Sequence, residues 1–300
     1  MTIADDLSLL MQNHDDEPQA AAAALHGMVD QDVPADQLGR FTWLVDHVIG
    51  EKFGHWSEAH ELIEKAISRH TSLPQPALRH AAVAAHLSGN LLAGIALERR
   101  MVQDRIRADQ ATIAVRASAI SFSISPARAL EAAVALLSIA GGVEQWNDAS
   151  GVDAAVAASL NNAVSALIEL DDETLGHADV RAAMVQGAAA ARMLWQRAGT
   201  WVNHERADYL CALVFNRIAD YANALEAAER GRQLIETNGS EDVDRAFLLL
   251  ESARALIGLS RKAEGVERLR QAEAIARGWD DVGLTKWFND KAKPVRDLAG

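Results

Sequence analysis

The sequence predicts an all-α chain built from antiparallel helix pairs, and three observations carry that reading. Of its 300 residues, 58 are alanine and two are tyrosine, and no run of alternating β-branched residues is long enough for a sheet strand. The prolines at 18, 34, 74, 76 and 126 precede or open apolar-periodic segments, and Pro294 is expected to end or kink the last one. Glycines at 54, 89, 141, 142, 199, 239, 258 and 278 supply stops, because glycine accepts the left-handed backbone that closes a helix.

In chain order, residues 1–39 form an acidic capping hairpin with helices over Thr2–Gln12 and Pro18–Val29. Residues 40–140 carry a first set of helix pairs, and a polar loop is expected over 141–152 around Gly141 to Gly151. Residues 153–278 carry a second set, with helices near 202–218 and 221–237, and residues 279–300 add a capping helix over Asp281–Ala292. Such caps cover the apolar faces that terminal repeats would otherwise expose.

Composition narrows the function. The formal charge is −13, which repels phosphate backbones and anionic lipid, so neither nucleic acid nor membrane is expected as a partner. The charge is uneven: residues 1–50 sum to −8 and residues 251–300 to +2. Apolar runs such as Ala81–Leu87 and Ala132–Ala140 are too short to span a bilayer, and the acidic start Met-Thr-Ile-Ala-Asp-Asp is unlike a secretory signal, so a cytoplasmic protein is expected. A single cysteine, Cys211, excludes an internal disulfide and a cysteine-based zinc site.

A repeat runs through the chain. In the segment from Phe53 to Ala66, small residues stand at Ala59 and seven later at Ala66, with Trp56 three before the first. Steps of 35 from Ala59 reach Gly94 and Ala129, and Ala183, Ala224 and Gly265 follow one another at steps of 41. The residues seven after each anchor are Ala66, Met101, Leu136, Ala190, Gly231 and Ala272. This pattern resembles the tetratricopeptide repeat, in which small residues let two antiparallel helices approach closely and an aromatic wedges between repeats. The 41-residue half is similar to longer-helix variants found in bacterial regulators and peptide sensors.

That resemblance implies a right-handed superhelical solenoid with a concave groove lined by the fifth, ninth and twelfth residues of each first helix. Carried onto this chain, these are Leu44, Val48 and Glu51, then Arg79, Val83 and His86, then Ala114, Ser118 and Ser121. In the second half they are Tyr209, Leu213 and Asn216, then Leu250, Arg254 and Ile257. The resemblance implies a non-catalytic scaffold that binds a protein or peptide without a cofactor. A ligand-responsive regulatory sensor is the alternative, with an all-α metal-dependent enzyme behind it.

Local motifs for chemistry are weak. His60 and Glu64 share a helix face, with His55, His47 and Glu51 nearby, but the second histidine of a zinc-protease helix is missing. Cys211 falls on a packed face, and Gly141-Gly142 lacks the lysine and hydroxyl residue of a phosphate loop. Asp171-Asp172-Glu173 reads as a helix-capping turn. Trp279, Trp287 and Phe288 are expected as a capping core or an interface.

Overall fold

The structure, a computed structural model, describes residues 2–103 and 105–300, and among these it contains sixteen α-helices and no strand. The chain divides into two compact units, Met1–Arg128 with Trp146–Ser159, and Ala129–Gln145 with Leu160–Gly300. The first unit holds α1 (Ile3–Asn13), α2 (Pro18–Val29), α3 (Leu38–Leu44), α4 (Trp56–Ile67), α5 (Gln75–Leu87), α6 (Leu91–Met101) and α7 (Ala108–Ser121). Helix α3 runs directly into a π-helical segment, Val45–Lys52. The second unit holds α8 (Ala129–Glu144), the later part of α9 (Asp153–Ile168), α10 (Asp172–Leu175), α11 (Ala178–Ala198), α12 (Trp201–Arg217), α13 (Tyr221–Asn238), α14 (Asp242–Gly258), α15 (Lys262–Ala276) and α16 (Val282–Ala299). Successive helices pack as hairpins, notably α5 with α6, α12 with α13 and α14 with α15, and α12 also touches α14.

The small-residue repeat is a packing pattern. All six anchors are buried, and so are all six residues seven positions later. Size matters most at the closest approaches. A Cβ on Gly265 would lie 2.6 Å from Ile257 Cγ1 and 2.9 Å from the Ala253 carbonyl oxygen, and one on Gly231 would lie 2.9 Å from Leu248. Trp56 and Tyr221, the aromatic residues three before their anchors, lie over Gly50 and Gly258, where a Cβ would come within 2.4 Å and 2.5 Å of the rings.

One turn recurs four times, always five residues before an anchor. Gly54, Gly89, Ala219 and Ser260 have φ of 71°, 87°, 61° and 63°. The residues after them, His55, Asn90, Asp220 and Arg261, share one conformation with φ between −95° and −83° and ψ between 51° and 69°. In three of these turns the next N–H donates at 2.8 Å to the carbonyl five residues back: Asn90 to Ala85, Asp220 to Phe215 and Arg261 to Leu256. In the first, His55 reaches Ile49, six residues back, at 3.0 Å, because the π segment holds one extra residue in its turn.

Several sequence expectations change. Gly141 and Gly142 do not open the loop; α8 continues through them to Glu144. Burial of Ile139, Ala140 and Val143 outweighs the roughly 1 kcal/mol that each helical glycine costs. Pro294 does not end α16, which runs on to Ala299. Phe288, Ala292 and Val295 anchor the helix on both sides of Pro294, while Pro294 and Asp290, whose carbonyl loses its N–H partner, are exposed to water. Gly199 and Gly239 end their helices with φ of −101° and 170°, outside the left-handed region.

The expectation of no membrane-length segment also changes. Pro126–Glu144, 19 residues, is long and apolar enough to cross a bilayer by length and composition, because the short 3-10 turn Pro126–Arg128 extends α8. Ala133, Leu136, Ala140 and Val143 of α8 are fully buried in protein, and α8 packs on α11.

Candidate functional site

In the second unit, α9, α12, α14 and α16 surround a cavity of about 640 Å³. Helix α12 supplies Tyr209, Leu213 and Asn216, spaced four and three residues apart and therefore on one face. Helix α14 supplies Glu251 and Arg254, α9 supplies Ser165 and Ile168 with Glu169 just after its end, and α16 supplies Trp287, Asp290, Lys291 and Pro294.

The polar chemistry centres on Glu251, which is buried. Asn216 Nδ2–H donates to Glu251 Oε2 at 2.8 Å and to its carbonyl at 3.0 Å. Asn216 Oδ1 has no partner, and Arg254 Nε lies 3.5 Å from Glu251 Oε2 without a hydrogen bond. Burial, with the Glu251 carboxylate nearby, holds the Tyr209 phenol far above its ordinary range, so its hydroxyl stays a donor. Lys291 Nζ lies 2.8 Å from Glu169 Oε1 and joins α16 to α9. Arg217 is spent locally, donating to the carbonyls of Ile168 at 3.2 Å and Leu170 at 3.0 Å. Trp287 is 47% exposed and packs on Phe247 with ring centroids 4.4 Å apart.

Of the expected groove residues, Tyr209, Leu213, Asn216 and Arg254 come together here. The others have different surroundings. Leu44, Val48, Val83, Ala114 and Leu250 are fully buried, because α3 packs on α5, α5 on α7 and α14 on α12 and α15. Ser118 Oγ lies 2.9 Å from Ser159 Oγ in the first unit's core, and Ser121 donates to the Ser118 carbonyl. Glu51 bonds His47, Arg79 Nη2 donates to His80 Nε2 at 3.0 Å, and His86 faces Glu98 at 2.7 Å. Ile257 lies over Gly265. Glu51, Arg79 and His86 thus bond to neighbours within the fold.

The cavity residues that sequence reasoning missed include Glu251, Glu169 and Lys291. Trp287, expected as part of a capping core or an interface, shares a helix face with Lys291 and Pro294, four and three apart in the sequence. Phe288 and Trp279 join the α14–α15–α16 core, so the C-terminal aromatics split between core and cavity wall.

Other candidates resolve into structure. His60 Nε2 accepts from Asn90 Nδ2 at 3.2 Å and stands 3.7 Å from Glu64. Cys211 is buried, and burial pushes its thiol up to about 11. Asp171 caps α10 by accepting from the Thr174 N–H at 2.8 Å. A second depression, of about 450 Å³, is lined by α13, α15 and residues around them. Its arginines are ion-paired, Arg261 with Glu264 at 2.7 Å and Arg268 with Glu229 at 3.1 Å. No protein-family model matches this chain, and no curated protein sequence matches it.

Proposed function

We propose that this chain is a non-catalytic scaffold whose helix hairpins stack as a tetratricopeptide-like right-handed solenoid, and that the α9–α12–α14–α16 cavity holds an extended segment of a partner protein or peptide. The observation that carries this reading is the convergence of Tyr209, Leu213, Asn216 and Arg254 on one cavity. A peptide main chain supplies N–H donors and carbonyl acceptors, with which the solvent-facing groups of the cavity wall, Asp290 and Lys291 among them, can pair. Glu251 is tied to Asn216 and faces Arg254, an arrangement suited to positioning rather than proton transfer. The acidic balance and single cysteine support work in the cytoplasm.

The test pans a displayed random-peptide library against the full chain and measures selected peptides by fluorescence polarisation. Tyr209→Ala and Arg254→Ala should each weaken binding about tenfold or more, as expected of an aromatic and an arginine at a binding hot spot. Arg261→Ala and Arg268→Ala should leave affinity nearly unchanged. Loss with the control pair and retention with the cavity pair would move the site to the α13–α15 side.

A second reading, a ligand-responsive sensor, draws on the Lys291–Glu169 pair. A bound group that competes for either charge would free α16 from α9. Small-angle scattering of the chain with and without a selected peptide tests this; an unchanged radius at saturation removes it.

A further inference from the structure

In the first unit, the turn after α1 meets the π segment through a cluster that the cavity does not use. His14 caps the C-terminus of α1, Asp15 follows it, and His47 stands on the π segment. One ligand atom from each of the three lies within 4.8 Å of the others. His14 Nε2 is 3.7 Å from Asp15 Oδ2, and His47 Nε2 is 3.4 Å from Asp15 Oδ1. His14 is buried, His47 is half-buried and Asp15 is exposed, so the cluster has support on one side and access on the other.

The far sides of both rings are already engaged. His14 Nδ1 lies 2.9 Å from the Leu10 carbonyl, an acceptor only, so the ring proton sits on Nδ1 and the Nε2 lone pair is free. His47 Nδ1 lies 2.5 Å from Glu51 Oε2 and its Nε2 bonds Asp15 Oδ1 at 3.4 Å, so the ring stands between two carboxylates and a metal at Nε2 would replace the hydrogen bond to Asp15. A histidine that donates from one nitrogen to a carbonyl or carboxylate, and presents the other to a cation, is the usual supported metal ligand. Trp43 holds both rings in place, stacked on His47 at 5.1 Å and edge-on to His14 at 5.5 Å. The π-helical backbone that carries His47 is uncommon and occurs frequently at functional sites.

We propose that His14, Asp15 and His47 bind a divalent transition metal of the Zn²⁺ class through the two Nε2 atoms and the Asp15 carboxylate. Two imidazoles and a carboxylate suit such a metal better than Mg²⁺ or Ca²⁺, which prefer all-oxygen sites. Three protein ligands leave the fourth position of a tetrahedral site open to water or to a partner's side chain. The Leu10 carbonyl and Glu51 stand behind the rings. Lys52 Nζ, 2.6 Å from Asp15 Oδ1, holds the carboxylate and opposes the cation by its charge. The competing reading is a metal-free knot in which Lys52 and a doubly protonated His47, donating to Glu51 and Asp15, are the cations.

The experiment uses the tag-free full chain, stripped with chelator, titrated with Zn²⁺ by calorimetry and with Co²⁺ by visible absorption. One Zn²⁺ per chain should bind, and Co²⁺ should develop ligand-field bands of a nitrogen and oxygen site. Asp15→Asn, at an exposed position that leaves the fold intact, and His47→Gln should each weaken binding about tenfold or more. Lys52→Gln should tighten it, and circular dichroism confirms that each variant is folded. The proposal is overturned if neither the native chain nor Lys52→Gln binds Zn²⁺ saturably, or if Asp15→Asn and His47→Gln leave the affinity unchanged.

Discussion

Arg79, His80 and Asp46 form a buried chain whose proton position follows from donor capacity. Arginine only donates, so His80 Nε2 accepts from Arg79 and its proton lies on Nδ1, where it is given to Asp46 Oδ2 at 2.9 Å. Burial pushes Asp46 well above the ordinary carboxylate range and His80 well below the ordinary histidine range. Arg79 is the charge that offsets Asp46, so Arg79→Ala should cost about 3 kcal/mol in urea denaturation by stranding a buried acid. A cost under about 0.5 kcal/mol would return Arg79 to the binding surface expected from the sequence. Glu205 makes a second case. It is fully buried, and burial first, with the Asp244 carboxylate adding to it, raises its pKa well above 4.5. A carboxyl whose folded pKa is raised contributes fully below its unfolded pKa and loses that contribution as pH rises toward the folded value. Glu205→Gln should therefore stabilise the chain more at pH 8 than at pH 5, by about 1.4 kcal/mol for each pH unit over which only the unfolded state ionises. Equal effects at both pH values would contradict it.

At the scale of helices and turns, the small-residue spacing was readable because close helix approach demands particular residues at particular steps. The expected 202–218 and 221–237 pair is found as Trp201–Arg217 and Tyr221–Asn238. Ala224 is fully buried and Ala222 exposed, so Ala224→Leu should cost about 1 to 3 kcal/mol by overpacking. Ala222→Leu should cost about 0.5 kcal/mol or less, and equal costs in denaturant would contradict the register. The turns at Ala219 and Ser260 were not readable, because neither residue type signals a left-handed backbone. At φ of 61° the Ala219 Cβ is strained, so Ala219→Gly should raise stability by about 0.5 to 1 kcal/mol despite glycine's added chain entropy. A loss in urea denaturation would show that the turn relaxes in solution. The continuation of α8 and α16 past glycine and proline was equally hidden, because buried contacts there override local preference.

Over the whole chain, the all-α class followed from composition and punctuation, whereas the site followed only in part. Tyr209, Leu213, Asn216 and Arg254 line one cavity. Leu44, Val48 and Val83 are buried, and Glu51, Arg79 and His86 bond within the fold, which a position-by-position transfer has no means to foresee. The Glu251 and α16 walls depend on how the last helix returns against α14, information that lies in packing rather than in any local motif. Whether the second-unit cavity binds a peptide is tested most directly by crosslinking: a library-selected peptide carrying a photoreactive group is irradiated with the full chain, and attachment sites are read by mass spectrometry. Attachment should fall on Tyr209, Leu213 and Trp287; attachment confined to α13 and α15, around Leu225 and Ala263, would contradict the assignment.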